Sequence, residues 1–193
     1  MSEIDLPRPV RRTEDTISMR DPDSLLYELV LAGLVDDLSP SVETRPAEAQ
    51  KRRLIEAIEG RYRYAPFTAR VARMFDLDDA SAATALEAIV SPDAWMEGPL
   101  PGIRCALVAA GPRCTGNMNM FIAADPGARF PIHRHLGEER VLVMQGAFRE
   151  DDGARAQPGD LVVKTADSSH DFVVLDGPPC VCAYSIDQGF VLL

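Results

Sequence analysis

Beyond Pro92 the chain becomes a series of short apolar, β-branched segments separated by Gly, Pro and Asp, and this punctuation limits the fold more than any other feature. Eight such segments can be marked, at 103–110, 118–125, 129–135, 139–150, 160–166, 170–176, 181–187 and 189–193. Strands of this length at this spacing build an antiparallel sandwich or barrel.

Upstream the periodicity is helical. A polar, Pro- and Arg-containing stretch over 1–20 reads as a mobile arm. After Asp21-Pro22-Asp23, the segment SLLYELVLAGLVDDL places Leu25, Leu26, Leu29, Leu31 and Leu34 near helical spacing. AEAQKRRLIEAIEGRY, with Leu54, Ile55, Ile58 and Tyr62 on one side, predicts a second helix. APFTARVARMFDL, with Phe67, Val71, Met74 and Phe75 apolar, predicts a third. Asp78 or Asp79 caps a fourth, ASAATALEAIV, which stops at Ser91-Pro92. The expected class is therefore α+β: an all-helical region over 21–92, then an antiparallel β-barrel or jelly roll over 93–193. The apolar stripes of the helices read as packing faces.

Composition narrows the partners. With 30 acidic against 20 basic residues the formal net charge is −10, a field that repels phosphate and argues against direct nucleic-acid binding. Any role in gene expression is expected to run through another protein. No apolar run reaches the roughly 18 residues needed to span a bilayer, and the polar start does not read as a secretory signal. A cytoplasmic protein without membrane contact is expected, its four cysteines thiols rather than disulfides.

All three histidines lie between positions 133 and 170. On a strand, His133 and His135 point the same way, and Glu139 shares their parity while Glu138 points away. Leu136-Gly137 allows a bend that turns the carboxylate toward the imidazoles. His170 can arrive on a neighbouring antiparallel strand, about 5 Å across. Three imidazoles and a carboxylate converging inside a sheet structure suit one divalent metal ion, which compensates the buried charge of the glutamate. This set, His133, His135, Glu139 and His170, is compatible with zinc, iron, manganese, nickel or copper, and it lacks the thiolates of a structural zinc finger.

The segment GARFPIHRHLGEERVLVMQG resembles the first motif of the cupin family, which runs Gly, five residues, His-x-His, three or four residues, Glu, six residues, Gly. Gly127, His133, His135, Glu139 and Gly146 fill it. Pro158-Gly159 and His170 follow the looser second motif, whose terminal Asn is replaced by Val174. Within the cupins, residues 93–193 are similar to the ChrR-type group, the metal-binding half of certain anti-sigma factors. The shared features are Asp93-Ala94-Trp95, Glu138-Glu139, Val141-Leu142, Gly146-Ala147-Phe148, Asp151-Asp152, Pro158-Gly159-Asp160 and Ser168-Ser169-His170. In that group a helical domain carrying a His-x3-Cys-x2-Cys zinc pattern grips the sigma factor. This chain has no His and no Cys before Cys105, so that pattern is absent.

The resemblance implies a regulatory or sensor protein, more a binding protein than an enzyme, acting on a sigma factor or other regulatory partner. Zinc held by four protein ligands would close the site to catalysis. The alternative is a non-haem metal-dependent oxygenase or other cupin enzyme, with open positions on iron. Lys164 and Tyr184 are weak acid–base candidates for that reading. Cys180 and Cys182 share one strand face and read either as an oxidant-sensing pair or as small core residues. Dimerisation through an edge strand is a further expectation.

Overall fold

The computed structural model describes residues 60–193, together with Arg52 upstream. The expected arm, the expected helix after Asp23 and most of the second helix lie outside the described residues.

The chain enters through a 3-10 turn at Ala65–Phe67 and then forms α1 (Thr68–Phe75). Asp76 ends α1 by adopting a left-handed conformation (φ 55°). Its carboxylate accepts hydrogen bonds from the Arg113 backbone N (2.9 Å) and Nε (2.7 Å). α2 (Asp79–Ala88) starts on Asp78, whose carboxylate accepts from the Ser81 amide at 2.7 Å, so Asp78 and not Asp79 is the cap. Proline at 92 ends the helical pattern, and Trp95 Nε1 donates back to the Ile89 carbonyl at 3.0 Å. Among the described residues no helix is long and apolar enough to cross a membrane.

The rest is a sandwich of two antiparallel sheets. One has six strands in the order β1-β2-β3-β10-β5-β8: β1 (Met96–Glu97), β2 (Ile103–Leu107), β3 (Met118–Ala124), β10 (Cys180–Ile186), β5 (Glu139–Gln145) and β8 (Leu161–Lys164). The other has five in the order β11-β4-β9-β6-β7: β11 (Phe190–Leu192), β4 (Arg129–His135), β9 (Ser169–Val174), β6 (Phe148–Glu150) and β7 (Arg155–Ala156). From β3 onward the chain passes repeatedly between the sheets, so neighbours in sequence face each other across the interior.

Three details differ from the sequence reading. The segment 139–150, read as one strand, is two, because Gly146 (φ 67°) turns the chain from one sheet to the other. A Cβ there would lie 2.7 Å from the Pro179 carbonyl oxygen, so only glycine fits. The two-residue strands β1 and β7 are set by pairing alone, Met96 with Cys105 and Arg155 with Arg149, and leave no periodicity to read. The first expected strand stops at Leu107 rather than running to 110.

Two apolar clusters hold the fold. One lies between α1 and α2 and the outer face of the six-stranded sheet, with Val71, Phe75 and Leu86 against Phe121, Leu142 and Ala183. Phe75 and Phe121 meet edge to face at 5.6 Å. Burying each large side chain of this kind stabilises by roughly 1.5–3 kcal/mol. The other cluster fills the interior between the sheets and includes Val143, Phe148, Val162, Val174 and Ile186. Every residue of β10 is buried. Val181 and Ala183 face the helices while Cys180, Cys182, Tyr184 and Ile186 face the interior, which is why β10 reads as a continuous apolar run.

Candidate metal centre

β4 brings His133 and His135 to the interior on one face. β9 lies antiparallel beside it, and His170 is the direct cross-strand partner of His133. Glu139 arrives from the opposite sheet, as the first residue of β5. The link is Leu136-Gly137-Glu138, and it fits only because residue 137 is glycine: a Cβ there would sit 2.4 Å from the Asp187 carbonyl oxygen. Glu138 faces solvent and pairs with Arg140 at 2.6 Å, whereas Glu139 is buried.

The four side chains suggested by the sequence do come together. Their potential ligand atoms lie within 4.8 Å of one another, and all four residues are buried. Contacts run in a ring: His135 Nε2 to His133 Nε2 3.1 Å, His133 Nε2 to His170 Nε2 3.2 Å, His170 Nε2 to Glu139 Oε1 3.6 Å and Glu139 Oε2 to His135 Nε2 3.3 Å. Ligand atoms about 2.0–2.2 Å from one ion sit roughly 3.0–3.5 Å apart, so this spacing fits a single divalent cation.

The outward nitrogens decide which atoms face inward. His133 Nδ1 donates to the Pro131 carbonyl (3.1 Å) and His170 Nδ1 to the Glu150 carboxylate (3.0 Å), both pure acceptors. His135 Nδ1 meets Ser168 Oγ at 3.0 Å. That hydroxyl spends its own hydrogen on the Thr165 carbonyl at 2.6 Å, so it accepts from the imidazole. In the neutral imidazoles, then, all three Nε2 lone pairs point at one another and at a carboxylate. Without a cation among them the contacts are repulsive, and this donor chemistry is the reason the residues fit a metal.

Electrostatics agree. Burial alone would raise the Glu139 carboxyl, but positive charge placed among the surrounding imidazoles, His135 first, outweighs it and holds the group below its usual range, so the carboxylate calls for a cation at the point where the neutral rings present lone pairs. Glu150 is likewise raised by burial and then lowered further by its bonds to His170 and Lys164, for a net decrease. Burial pushes His133 down, favouring the neutral ring. Tyr184 is pushed well above the ordinary tyrosine range by burial, then by the negative charge of Glu139 and a hydrogen bond to it.

Sequence reasoning did not single out Glu150, Ser168 or the Pro131 carbonyl as groups that orient the imidazoles. The readable signal for Glu150 was its parity with Phe148, which points inward in β6. Lys164, considered as an acid–base candidate, is buried with its Nζ 2.6 Å from Glu150 Oε2. Tyr184 lines a cavity of about 230 Å³ that reaches the cluster and is otherwise walled mostly by apolar side chains. Cys180 and Cys182 also line it, with their sulfurs 3.6 Å apart. The contact with Cys180, together with burial, pushes the Cys182 thiol well up, so it stays protonated.

Residues 87–188 match the family described as the ChrR cupin-like domain. The chain belongs to that family. Among curated relatives of this ChrR-type cupin, a protein of Cereibacter sphaeroides named as a dimethylsulfoniopropionate lyase, DddL, is 27% identical over 167 aligned positions, with 79% of this chain and 66% of that protein covered. The anti-sigma-E factor ChrR of the same organism is 33% identical over 86 residues, covering 45% of this chain and 38% of ChrR. The ChrR-type cupin thus spans less than two thirds of either relative. Among solved structures, that of Rhodobacter sphaeroides SigE in complex with the anti-sigma ChrR is similar at 21% identity and a TM-score of 0.47, over 85% of this chain and 78% of that one.

Proposed function

We propose that this ChrR-type cupin is a metal-binding regulatory protein. One divalent ion, zinc first, with iron, manganese or nickel as the other candidates, is held by His133, His135, Glu139 and His170, and the protein acts through a protein partner. The observation that carries the reading is the set of three Nε2 lone pairs and one carboxylate turned to a single buried point by fixed outer hydrogen bonds.

The partner proposal rests on the relative named as an anti-sigma factor, which makes a sigma factor the first candidate. The fold offers a route between the two. β5 carries Glu139, Val141 and Val143 toward the interior, and Leu142 and Met144 toward α1 and α2. A shift of Glu139 on losing its ion is therefore felt one residue row away, under the helices. The net charge of −10 favours a protein partner over nucleic acid.

The test is elemental analysis of protein purified anaerobically from its host beside a His133→Ala/His135→Ala variant, with co-purification of a tagged sigma factor from the same host in both. About one zinc per chain, lost in the variant together with a change in sigma-factor retention, supports the proposal. Metal-free wild type overturns it.

A second reading, chemistry on a small molecule by a non-haem oxygenase or another cupin enzyme, has one specific observation behind it: the cavity of about 230 Å³ that opens onto the cluster. Iron or manganese in the same analysis, with consumption of O₂ or of a substrate, would favour it.

A further inference from the structure

The cavity between the sheets has an uneven distribution of chemistry. Its polar contributors, His133, Glu139, His170 and Tyr184, belong to the cluster or stand beside it. The remaining wall is built from residues such as Ile103, Ile122, Val162, Phe130, Phe148 and Phe172, with the sulfurs of three cysteines. Among the described residues, no Lys, Arg, Asp, Asn or Gln lines it.

We infer that this cavity binds a compact apolar molecule carrying a single monoanionic oxygen head, of the medium-chain monocarboxylate class. The inference rests on the proposed metal reading. Three points lead to it. Away from the cluster the wall offers only thiols, weak hydrogen-bonding groups, to a hydroxyl-rich or doubly charged molecule, and burying such groups poorly paired is strongly unfavourable. The size fits: an apolar cavity of about 150 Å³ houses benzene, so about 230 Å³ houses a tail of roughly eight carbons. The charge fits as well. Three neutral imidazoles and one carboxylate on a divalent ion leave one positive charge in an apolar interior, and one anionic head neutralises it. Lys164 is held by Glu150 and does not line the cavity, so among the described residues no cationic side chain stands at its far end to pair with a second negative group. Of the lining residues, Pro99 and Met118 are exposed and mark where the cavity meets solvent.

The experiment is a calorimetric titration of the metal-loaded full chain with sodium octanoate, 1-octanol and sodium glucuronate, with metal content measured on the same sample. Octanoate is expected to bind at least ten-fold tighter than 1-octanol, through its charge, and at least a hundred-fold tighter than glucuronate, through its tail. Ile122→Phe, which fills the cavity from β3, is expected to keep the metal and lose octanoate. If that variant does not fold, displacement of a fluorescent apolar dye from the wild type by octanoate, and not by glucuronate, serves as the second readout. Equal affinity for octanoate and glucuronate in fully metal-loaded protein overturns the ligand assignment and leaves the metal reading standing. Protein that carries no metal overturns the metal reading, and the anionic head with it.

Discussion

Glu150 accepts the Nδ1 hydrogen of His170 at 3.0 Å and thereby determines which nitrogen of His170 faces the interior. Its other oxygen meets Lys164 at 2.6 Å. A carboxylate in this place both orients the imidazole and raises its basicity toward an ion. Glu150→Gln keeps an acceptor oxygen and is expected to weaken metal affinity by about ten-fold to a hundred-fold, measured by competition with a chromogenic chelator. Glu150→Leu also removes the carboxylate partner of buried Lys164 and is expected to cost about 3 kcal/mol of folding stability as well, seen in urea unfolding. Metal affinity unchanged in both variants would remove Glu150 from the site.

Glu138 and Glu139 are neighbours with opposite fates, one paired with Arg140 at the surface and one buried in the cluster. Glu139→Gln should abolish stoichiometric metal binding, whereas Glu138→Gln should leave it intact. Chelation should lower the melting temperature of the wild type and of Glu138→Gln but not of Glu139→Gln. An ion held at a thousand times its dissociation constant stabilises by about 4 kcal/mol, a shift easily read by differential scanning fluorimetry.

Acid should destabilise the metal-free protein in two steps. His133 is held below its ordinary value of 6.5 by burial, so the unfolded chain binds more protons than the folded one as pH drops below about 6.5, and stability falls. Glu139 and Glu150 lie below their ordinary 4.5 despite burial, held there by imidazole and ammonium partners. Their stabilisation is present above that value and is lost as pH falls through their folded values. Urea midpoints should therefore decline from pH 7 to 5 and further below 4.5. A midpoint that rises between pH 7 and 5 would contradict the burial of a neutral His133.

Phe75 of α1 and Phe121 of β3 join the helices to the sheet. Phe75→Ala leaves a cavity in that shared cluster and should cost about 3–5 kcal/mol. Because the cluster is continuous from α1 and α2 to β3, β5 and β10, tryptophan fluorescence from Trp95 and far-UV circular dichroism should report one coincident transition in the wild type.

Much of this was legible because strand parity is a rigid rule. His133 and His135 are placed by alternation and His170 follows from antiparallel pairing, whereas the bend expected at Leu136-Gly137 is a crossing between the sheets, so Glu139 reaches the cluster from the opposite sheet and not by strand parity. The two helices nearest the sandwich were visible for a similar reason: Asp78 supplies a cap and Pro92 a stop. What escaped was fixed by three-dimensional pairing. Glu150 sits in a three-residue strand whose separation from β5 depends on one glycine, too weak a break within an apolar run. Ser168 and the Pro131 carbonyl act through a hydroxyl and a backbone oxygen, which leave no pattern. Lys164 reads as a candidate proton carrier because sequence shows a charge without its partner. β1 and β7 are too short for any period.

β10 is hydrogen-bonded to β3 on one side and β5 on the other, covered by helices on one face and by the opposite sheet on the other. A strand enclosed on all four sides has no local opening that frees its amides. Its backbone hydrogens should exchange with deuterated solvent only when the whole molecule opens, and their exchange rates then measure global stability directly. Loading the cluster with metal should slow those amides by the full factor of ion binding, even at Val181, whose side chain faces the helices and not the ion.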